Sequence, residues 1–265
     1  MRLGHASMMR FLRVTALAAV VALTGACATI PPTAGSNPVD PLERYNRHVS
    51  EFNDRVDRAL LKPVAQAYAD YVPSPVRECV GNIFSNIADV PNALNNLLQG
   101  KPAAAVSDIC RVVINTTVGV LGCFDVASKA GLEKSEEDFG QTLGRWGSGP
   151  GPYFVWPFLG PSTIRDSVGR VVGFYTDPLD YVDPVRTRNS LWATRLIDTR
   201  ASLFPAEKVI EGAALDKYQF IRDAYLQRRR SLIYDGNPPR ERDPEDEPEQ
   251  KPASAPDQPN AVPGR

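Results

Sequence analysis

Histidine is nearly absent. The chain has two, His5 and His48, and His5 falls in a leader read below as removed. General acid–base and zinc chemistry lean on imidazole. A lone His48 on a helix reads more readily as a surface or half-buried residue than as a base. Nucleophile and metal motifs are missing as well. Neither His-Glu-x-x-His nor Gly-x-Ser-x-Gly occurs; Ser148 sits between Trp146-Gly147 and Gly149-Pro150. The turn around it is no phosphate loop, because Pro150 and Pro152 lack the N–H groups that such a loop supplies. Asp138, Asp166, Asp177, Asp180 and Asp183 fit no calcium-loop order and are read as helix caps and turn formers. No catalytic residue and no metal site are expected.

Charge of one sign is lacking too. The formal net charge is -1, without the clustered basic excess of a nucleic-acid binder, so nucleic acid is not an expected partner. Strand-like alternation and internal repeats are also missing. Beyond the leader, no apolar run approaches the roughly 20 residues that a helix needs to cross a bilayer.

The leader is what is present first. Arg10 and Arg13 precede an apolar run, Val14 to Leu23, and then Gly25-Ala26 before Cys27. Residues 1–26 read as a signal peptide, and Cys27 reads as a bacterial lipoprotein site carrying a diacylglycerol and a further acyl chain. The usual Leu three places before the Cys is Thr24, with Leu23 one step back; ordinary cleavage with an unmodified thiol is the alternative. Ala28 after the Cys favours the outer membrane by analogy with other lipoproteins. Three thiols would remain, Cys79, Cys110 and Cys123. Cys110–Cys123 is the nearest pair for one disulfide, and three buried free thiols are the alternative.

Residues 27–39 read as a lipidated Cys and a flexible tether, 40–235 as one helical domain, and 236–265 as a disordered tail rich in Pro and acid. Within the domain, Pro punctuates many short helices. Asp40-Pro41-Leu42-Glu43 reads as a capping box, followed by a stripe of Tyr45, Val49, Phe52, Val56 and Leu60. Lys62-Pro63 reads as a break or kink. Ser74-Pro75 opens the next helix, and Asp89 with Pro91 opens another. Lys101-Pro102 starts a longer one, Ser162 caps one, and helices are expected from about 186 to 202 and from about 205 to 234. Arg228-Arg229-Arg230 reads as a solvated face, or as a contact for anionic headgroups.

The chain centres on residues 138–166. A short helix capped at Ser135 or Asp138 ends near Trp146. A Gly/Pro turn follows, then an apolar run, Tyr153 to Leu159, closed by Gly160-Pro161. Pro157 makes a poor central strand. The run is an apolar loop or hairpin, either folded over a core or offered to lipid or a partner.

These pieces carry a resemblance. Residues 40–47 (DPLERYNR), 52–57, 61–65, 82–86, 95–101 (NNLLQGK), Arg111, 115–117, 119–125 and most of 137–166 (EDFGQTLG, WGSGPGPY, LGPSTIRD) are similar to the MlaA (VacJ) outer-membrane lipoproteins. The shifted lipobox, the extra cysteines and the long acidic tail depart from that pattern. The resemblance implies an all-α, ring-like domain of amphipathic helices with an apolar Gly/Pro-bounded hairpin. It implies a non-enzymatic lipoprotein on the periplasmic face of the outer membrane of a Gram-negative bacterium. Such a protein removes phospholipids from the outer leaflet through a channel and passes them to a soluble periplasmic carrier, beside a trimeric porin. No cofactor is expected beyond the covalent lipid on Cys27, with phospholipid as the transported ligand. A lipoprotein that only braces a porin, or a lipid hydrolase, are the alternatives. Arg111, Asn115, Arg145, Arg165 and Asp166 are candidates for the headgroup side of a lipid path, although capping or internal pairing explains each equally well. Tyr153, Phe154, Trp156 and Phe158 are candidates for a membrane hairpin or gate, with Tyr153 and Trp156 at the bilayer interface. Gly147, Gly149, Gly151 and Gly160 are candidates for its hinge, or for rigid turns.

Overall fold

A computed structural model describes residues 34–240. The leader, the expected lipid attachment at Cys27 and the tail from 241 onward lie outside the described residues. The first helix, α1, is Glu43–Val56; it runs through a π-helical turn, Asp57–Leu61, into α2, Lys62–Tyr71. Pro63 therefore kinks one continuous rod. Next come α3 (Ser74–Leu98), α4 (Pro102–Thr117), α5 (Val126–Lys129) and α6 (Phe139–Arg145). A hairpin of β1 (Tyr153–Trp156) and β2 (Gly160–Thr163) follows, pairing Tyr153 with Thr163 and Trp156 with Gly160. After it lie α7 (Ile164–Thr176), a 3-10 turn (Pro178–Tyr181), α8 (Val185–Ser202), α9 (Phe204–Ala213) and α10 (Lys217–Ile233).

Packing closes a circuit. α1 leads through its π turn to α2, which lies on α8; α8 lies on α3, α3 on α6, α6 on α10, α10 on β2, and β1 returns to α1. This is the ring-like, all-α arrangement expected, with a small hairpin as its only sheet among the described residues. At the crossing of α6 and α7 the backbones nearly touch: a Cβ on Gly169 would lie 2.3 Å from the Gly140 nitrogen.

Several local expectations are corrected. The capping box does not form: α1 has no side-chain cap, because Asp40 turns inward to Asn46, Tyr218 and Arg222. Pro91 opens no new helix and lies inside α3. Asp89 is spent on Arg111 and Lys134 rather than on a cap. Thr163, not Ser162, caps α7, since Ser162 belongs to β2. The last expected helix is two, divided where Asp216 caps α10.

The helices are sorted inside out. On α4, Asp108, Arg111 and Asn115 are buried, while Val106, Ile109 and Val113 are more than half exposed. On α3, Asn86, Asp89, Asn92, Asn95 and Asn96 are buried, while Val90 and Leu97 are exposed. Both sets recur at helical spacing. The buried polar stripes meet: Asn96 donates to Asp108 at 2.8 Å and Asn86 to Thr116 at 2.9 Å. The apolar core is small, built on Val49, Tyr153, Val155 and Tyr218. Among the described residues no helix is long and apolar enough to cross a membrane.

The disulfide joins Cys79 of α3 to Cys123, and Cys110 is free and exposed. This corrects the Cys110–Cys123 pairing. Cys110 lies on the outward face of α4 beside Ile109 and Val113. Cys123 is turned back toward α3, where Asn82 also holds its carbonyl at 3.0 Å. Chain entropy then makes a prediction. The loop spans 44 residues, so the double Cys79→Ser, Cys123→Ser variant should lose about 4 kcal/mol of unfolding free energy. Cys110→Ser should lose none. Denaturant unfolding of both, with and without reductant, checks this.

Candidate functional site

The hairpin is held along both edges by side chains. On the β1 edge, Asn46 accepts from the Val155 N–H at 2.9 Å and donates to the Tyr153 carbonyl at 3.1 Å. Asn53 repeats the pattern, accepting from the Phe158 N–H at 2.7 Å and donating to the Trp156 carbonyl at 2.9 Å. The two asparagines lie about two turns apart on α1, so their amides stand in for a missing strand and close an edge that would otherwise be open. On the β2 edge, Arg170 of α7 donates to the Leu159 and Pro161 carbonyls at 3.0 and 3.1 Å. Trp156 is fixed by a bond from its indole N–H to the Ser167 hydroxyl at 2.8 Å.

The hairpin's faces differ. Tyr153 and Val155 are buried, with Tyr153 edge-on to Tyr218 and Tyr225. Tyr153 is therefore a core residue and not an interfacial one. Its phenol is pushed well above the ordinary range, first by burial and then by the charge of Asp40. Phe154 stacks on Tyr45 at 5.3 Å, and Phe158 and Leu159 stand out at the tip. Of the candidate hinge glycines, Gly147, Gly151 and Gly160 have positive φ, which only glycine adopts freely. Gly149 has none, and a Cβ there would meet nothing within 4 Å.

Behind the hairpin base runs an ion-pair network. Asp166 accepts from Arg165 (3.0 and 2.9 Å), from Tyr225 (2.8 Å) and from Arg229 (3.0 and 2.9 Å). Arg229 also grips Asp138 at 2.9 Å, the residue that caps α6 through the Gln141 N–H. Burial alone would raise the Asp166 carboxyl, but the charge and hydrogen bonds of Arg229, and the charge of Arg165, hold it below the usual carboxylate range. Arg229 is buried, so the arginine run is not one solvated face. Arg228 is the exposed member, paired with Glu136 at 2.5 Å.

The other predicted residues lie apart. Arg111 is buried, with its donors spent on Asp89, Ser128, the Leu132 carbonyl and Asp125. Asn115 donates to Asp125 and accepts from the Ala127 N–H. These two brace α5 and the loop after it. Arg145 is exposed at the end of α6. Among the described residues no cluster could hold a metal.

A cavity of about 520 Å³ opens between α3, α6, α7, α8 and α10. Its lining combines apolar side chains, Leu94, Leu98, Val172 and Phe174 among them, with charged ones, including Asp166, Arg170, Arg195 and Arg229. Arg195 is paired with Asp177 at 2.6 Å. The sequence reading missed Asn46, Asn53, Arg170 and Arg195. Asn46 and Asn53 carried a signal: each is a polar residue beside the apolar stripe, two turns apart.

A model of the family described as MlaA lipoprotein matches residues 38–232. The chain is 36% identical over 222 residues to the intermembrane phospholipid transport system lipoprotein MlaA of Escherichia coli K12, covering 82% of this chain and 87% of that one. It is 31% identical over 231 residues to the protein of the same name from Haemophilus influenzae, covering 84% and 90%. An uncharacterized protein of Rickettsia bellii is 35% identical over 200 residues, covering 73% and 76%. A solved structure, described as the structural basis for maintenance of bacterial outer membrane lipid asymmetry, superposes with a TM-score of 0.64 at 35% identity. It covers 75% of this chain and 99% of that one.

Two predictions follow from the geometry. Asn46→Ala strands the Val155 N–H and the Tyr153 carbonyl in a buried place and should cost about 2 kcal/mol. Asn53→Ala, nearer solvent, should cost about 1 kcal/mol. Faster hydrogen exchange at Val155 and Phe158, respectively, reads each out. Arg229→Met leaves Asp138 without its arginine and Asp166 with Arg165 alone, and should cost about 3–5 kcal/mol. A carboxylate whose folded pKa is depressed stabilises the fold above its unfolded value, near 4, and that contribution fades as pH falls toward the lower folded value. Wild-type stability should therefore drop from about pH 4 downward. Acid titration followed by circular dichroism should show the variant unfolding at higher pH.

Proposed function

The chain belongs to the MlaA lipoprotein family, and from that premise we propose that it removes phospholipids from the outer leaflet of the outer membrane and passes them to a soluble periplasmic carrier. The single observation that carries this reading is the pairing of an outward apolar surface with a cavity lined by both apolar and charged side chains. A lipid in transit needs both kinds of lining: acyl chains beside Leu94, Leu98 and Phe174, a headgroup beside the arginines of α7 and α8. The exposed apolar faces of α3 and α4 would sit in the acyl layer of the inner leaflet, where buried polar stripes cost least to keep inside.

On this reading Cys27 carries the acyl anchor, a trimeric porin holds the protein in the outer membrane, and no bond of the lipid is broken. Phe154, Trp156 and Phe158 of the hairpin face the lipid path or the bilayer. Arg165 and Asp166 shape the polar wall from behind. A protein that merely braced a porin would have use for the apolar faces but none for the mixed cavity, and a hydrolase would need a nucleophile and base there.

The test uses a deletion strain and the purified full-length protein. Deletion should increase outer-leaflet phospholipid and detergent sensitivity, and the purified protein should carry phospholipid without releasing fatty acid. Unchanged surface lipid in the deletion strain would overturn the proposal, and fatty-acid release would replace it with the hydrolase reading.

A further inference from the structure

Four arginines stand at or beside the cavity, and they are not equivalent. Arg229 bridges Asp138 and Asp166. Arg195 is held by Asp177 and lies over the Trp192 ring at 5.2 Å. Arg228 pairs with Glu136. Arg170 differs: among the described residues no carboxylate lies within ion-pair distance of it, and its two hydrogen bonds go to neutral carbonyls, Leu159 and Pro161. Burial pushes its guanidinium below the ordinary arginine range, outweighing the more distant charges of Asp138 and Asp166, which act the other way. It is the cavity's uncommitted cation, and it is also what holds the β2 edge of the hairpin tip.

We propose that Arg170 is the phosphate-recognition residue of the cavity, and that its guanidinium exchanges the carbonyls of Leu159 and Pro161 for the phosphodiester of an entering phospholipid. This rests on the reading of the protein as a phospholipid conduit. A guanidinium fork matches a phosphate with two parallel, charge-assisted bonds, each roughly twice as strong as a bond to a neutral carbonyl. The exchange is therefore downhill for a phosphate and not for a neutral lipid. Of the carbonyls left behind, that of Leu159 is exposed, where water replaces the lost donor, and that of Pro161 is half-buried. Asn46 and Asn53 keep the β1 edge and the Phe158 N–H in place, so the release is confined to Leu159, Gly160 and Pro161. Arrival of a headgroup is thereby coupled to movement of the β2 side of the hairpin tip.

The test is hydrogen exchange over residues 157–163 of the full-length, detergent-solubilised protein. It compares added phosphatidylglycerol, diacylglycerol and inorganic phosphate, and it quantifies co-purified phospholipid by mass spectrometry. Phosphatidylglycerol should speed exchange of the tip roughly tenfold, the loss of two modest hydrogen bonds, and diacylglycerol should not. Arg170→Gln should exchange fast without lipid and show no further response. Arg170→Lys, which keeps the charge without the fork, should fall between. An Arg170→Gln protein that responds like wild type, or equal effects of diacylglycerol and phosphatidylglycerol, would overturn the proposal. The same response to inorganic phosphate alone would assign the residue to a soluble anion and overturn the lipid assignment. Wild type that carries phospholipid yet shows no tip response sinks the exchange but leaves the conduit standing. Wild type that never carries phospholipid sinks both.

Discussion

Most of the buried charges among the described residues are matched by an opposite charge, with Asp108, held by Asn96 and Ser135, as an exception, and that pairing organises the rest. An isolated ion costs far too much to bury, so the interior is built as pairs that complete one another: Asp166 with Arg165 and Arg229, Arg111 with Asp89 and Asp125, Arg222 with Asp40. Such pairs seldom add much stability over well-packed apolar residues. They make physical sense when the apolar side chains are wanted elsewhere. Here those side chains, Val106, Ile109 and Val113 on α4 and Val90 and Leu97 on α3, lie on the outer surface. Polar stripes hold the helices together, and apolar stripes are left free for an environment that water does not supply.

The same economy explains how a two-stranded hairpin persists without a sheet. An isolated hairpin is marginal in water, and this one has two open edges. Asn46 and Asn53 serve one from α1; Arg170 serves the other from α7. Tyr153 and Val155 then plug the small apolar core from within. The hairpin is thus a rigid base carrying an exposed tip, where Phe158 leans edge-on against Phe52 and Leu159 stands out.

Much of this could be read from the residues. The boundaries of the central stretch, the Asp138 cap and the end of α6 at Trp146 follow from local chemistry, because caps and glycine turns act over three or four residues. The direction of the helix faces could not be read. Periodicity gives two stripes and is silent about which faces inward, and the ordinary assumption buries the apolar one. Pro91 looked like a helix start because a proline inside a helix loses a bond; here it is carried within α3, which is tied along its length by Asn86, Asn92 and Asn96 to neighbouring elements. Arg111, Asn115, Arg165 and Asp166 were legible as important polar residues, yet apart from the adjacent Arg165–Asp166 pair their side-chain partners lie from ten to more than sixty residues away in sequence, and spacing alone assigns no partner at that range. The expected Cys110–Cys123 pairing failed for the same reason: proximity in sequence favoured Cys110, and the facing of α4 turned it outward.

Which arginine a passing phosphate can take is decided by what each would leave behind. Drawing Arg229 away strands Asp138 and thins the support of Asp166, a loss of about 3–5 kcal/mol that would have to be recovered in transit. Drawing Arg195 away strands Asp177, and Arg111 is enclosed with all its donors spent. Arg170 leaves only two carbonyls at the hairpin tip, a loss of about 1 kcal/mol each at most places. A network that must stay intact while cargo passes needs one cation outside its own accounts. Among the buried and half-buried cavity arginines described, Arg170 alone has partners that carry no charge.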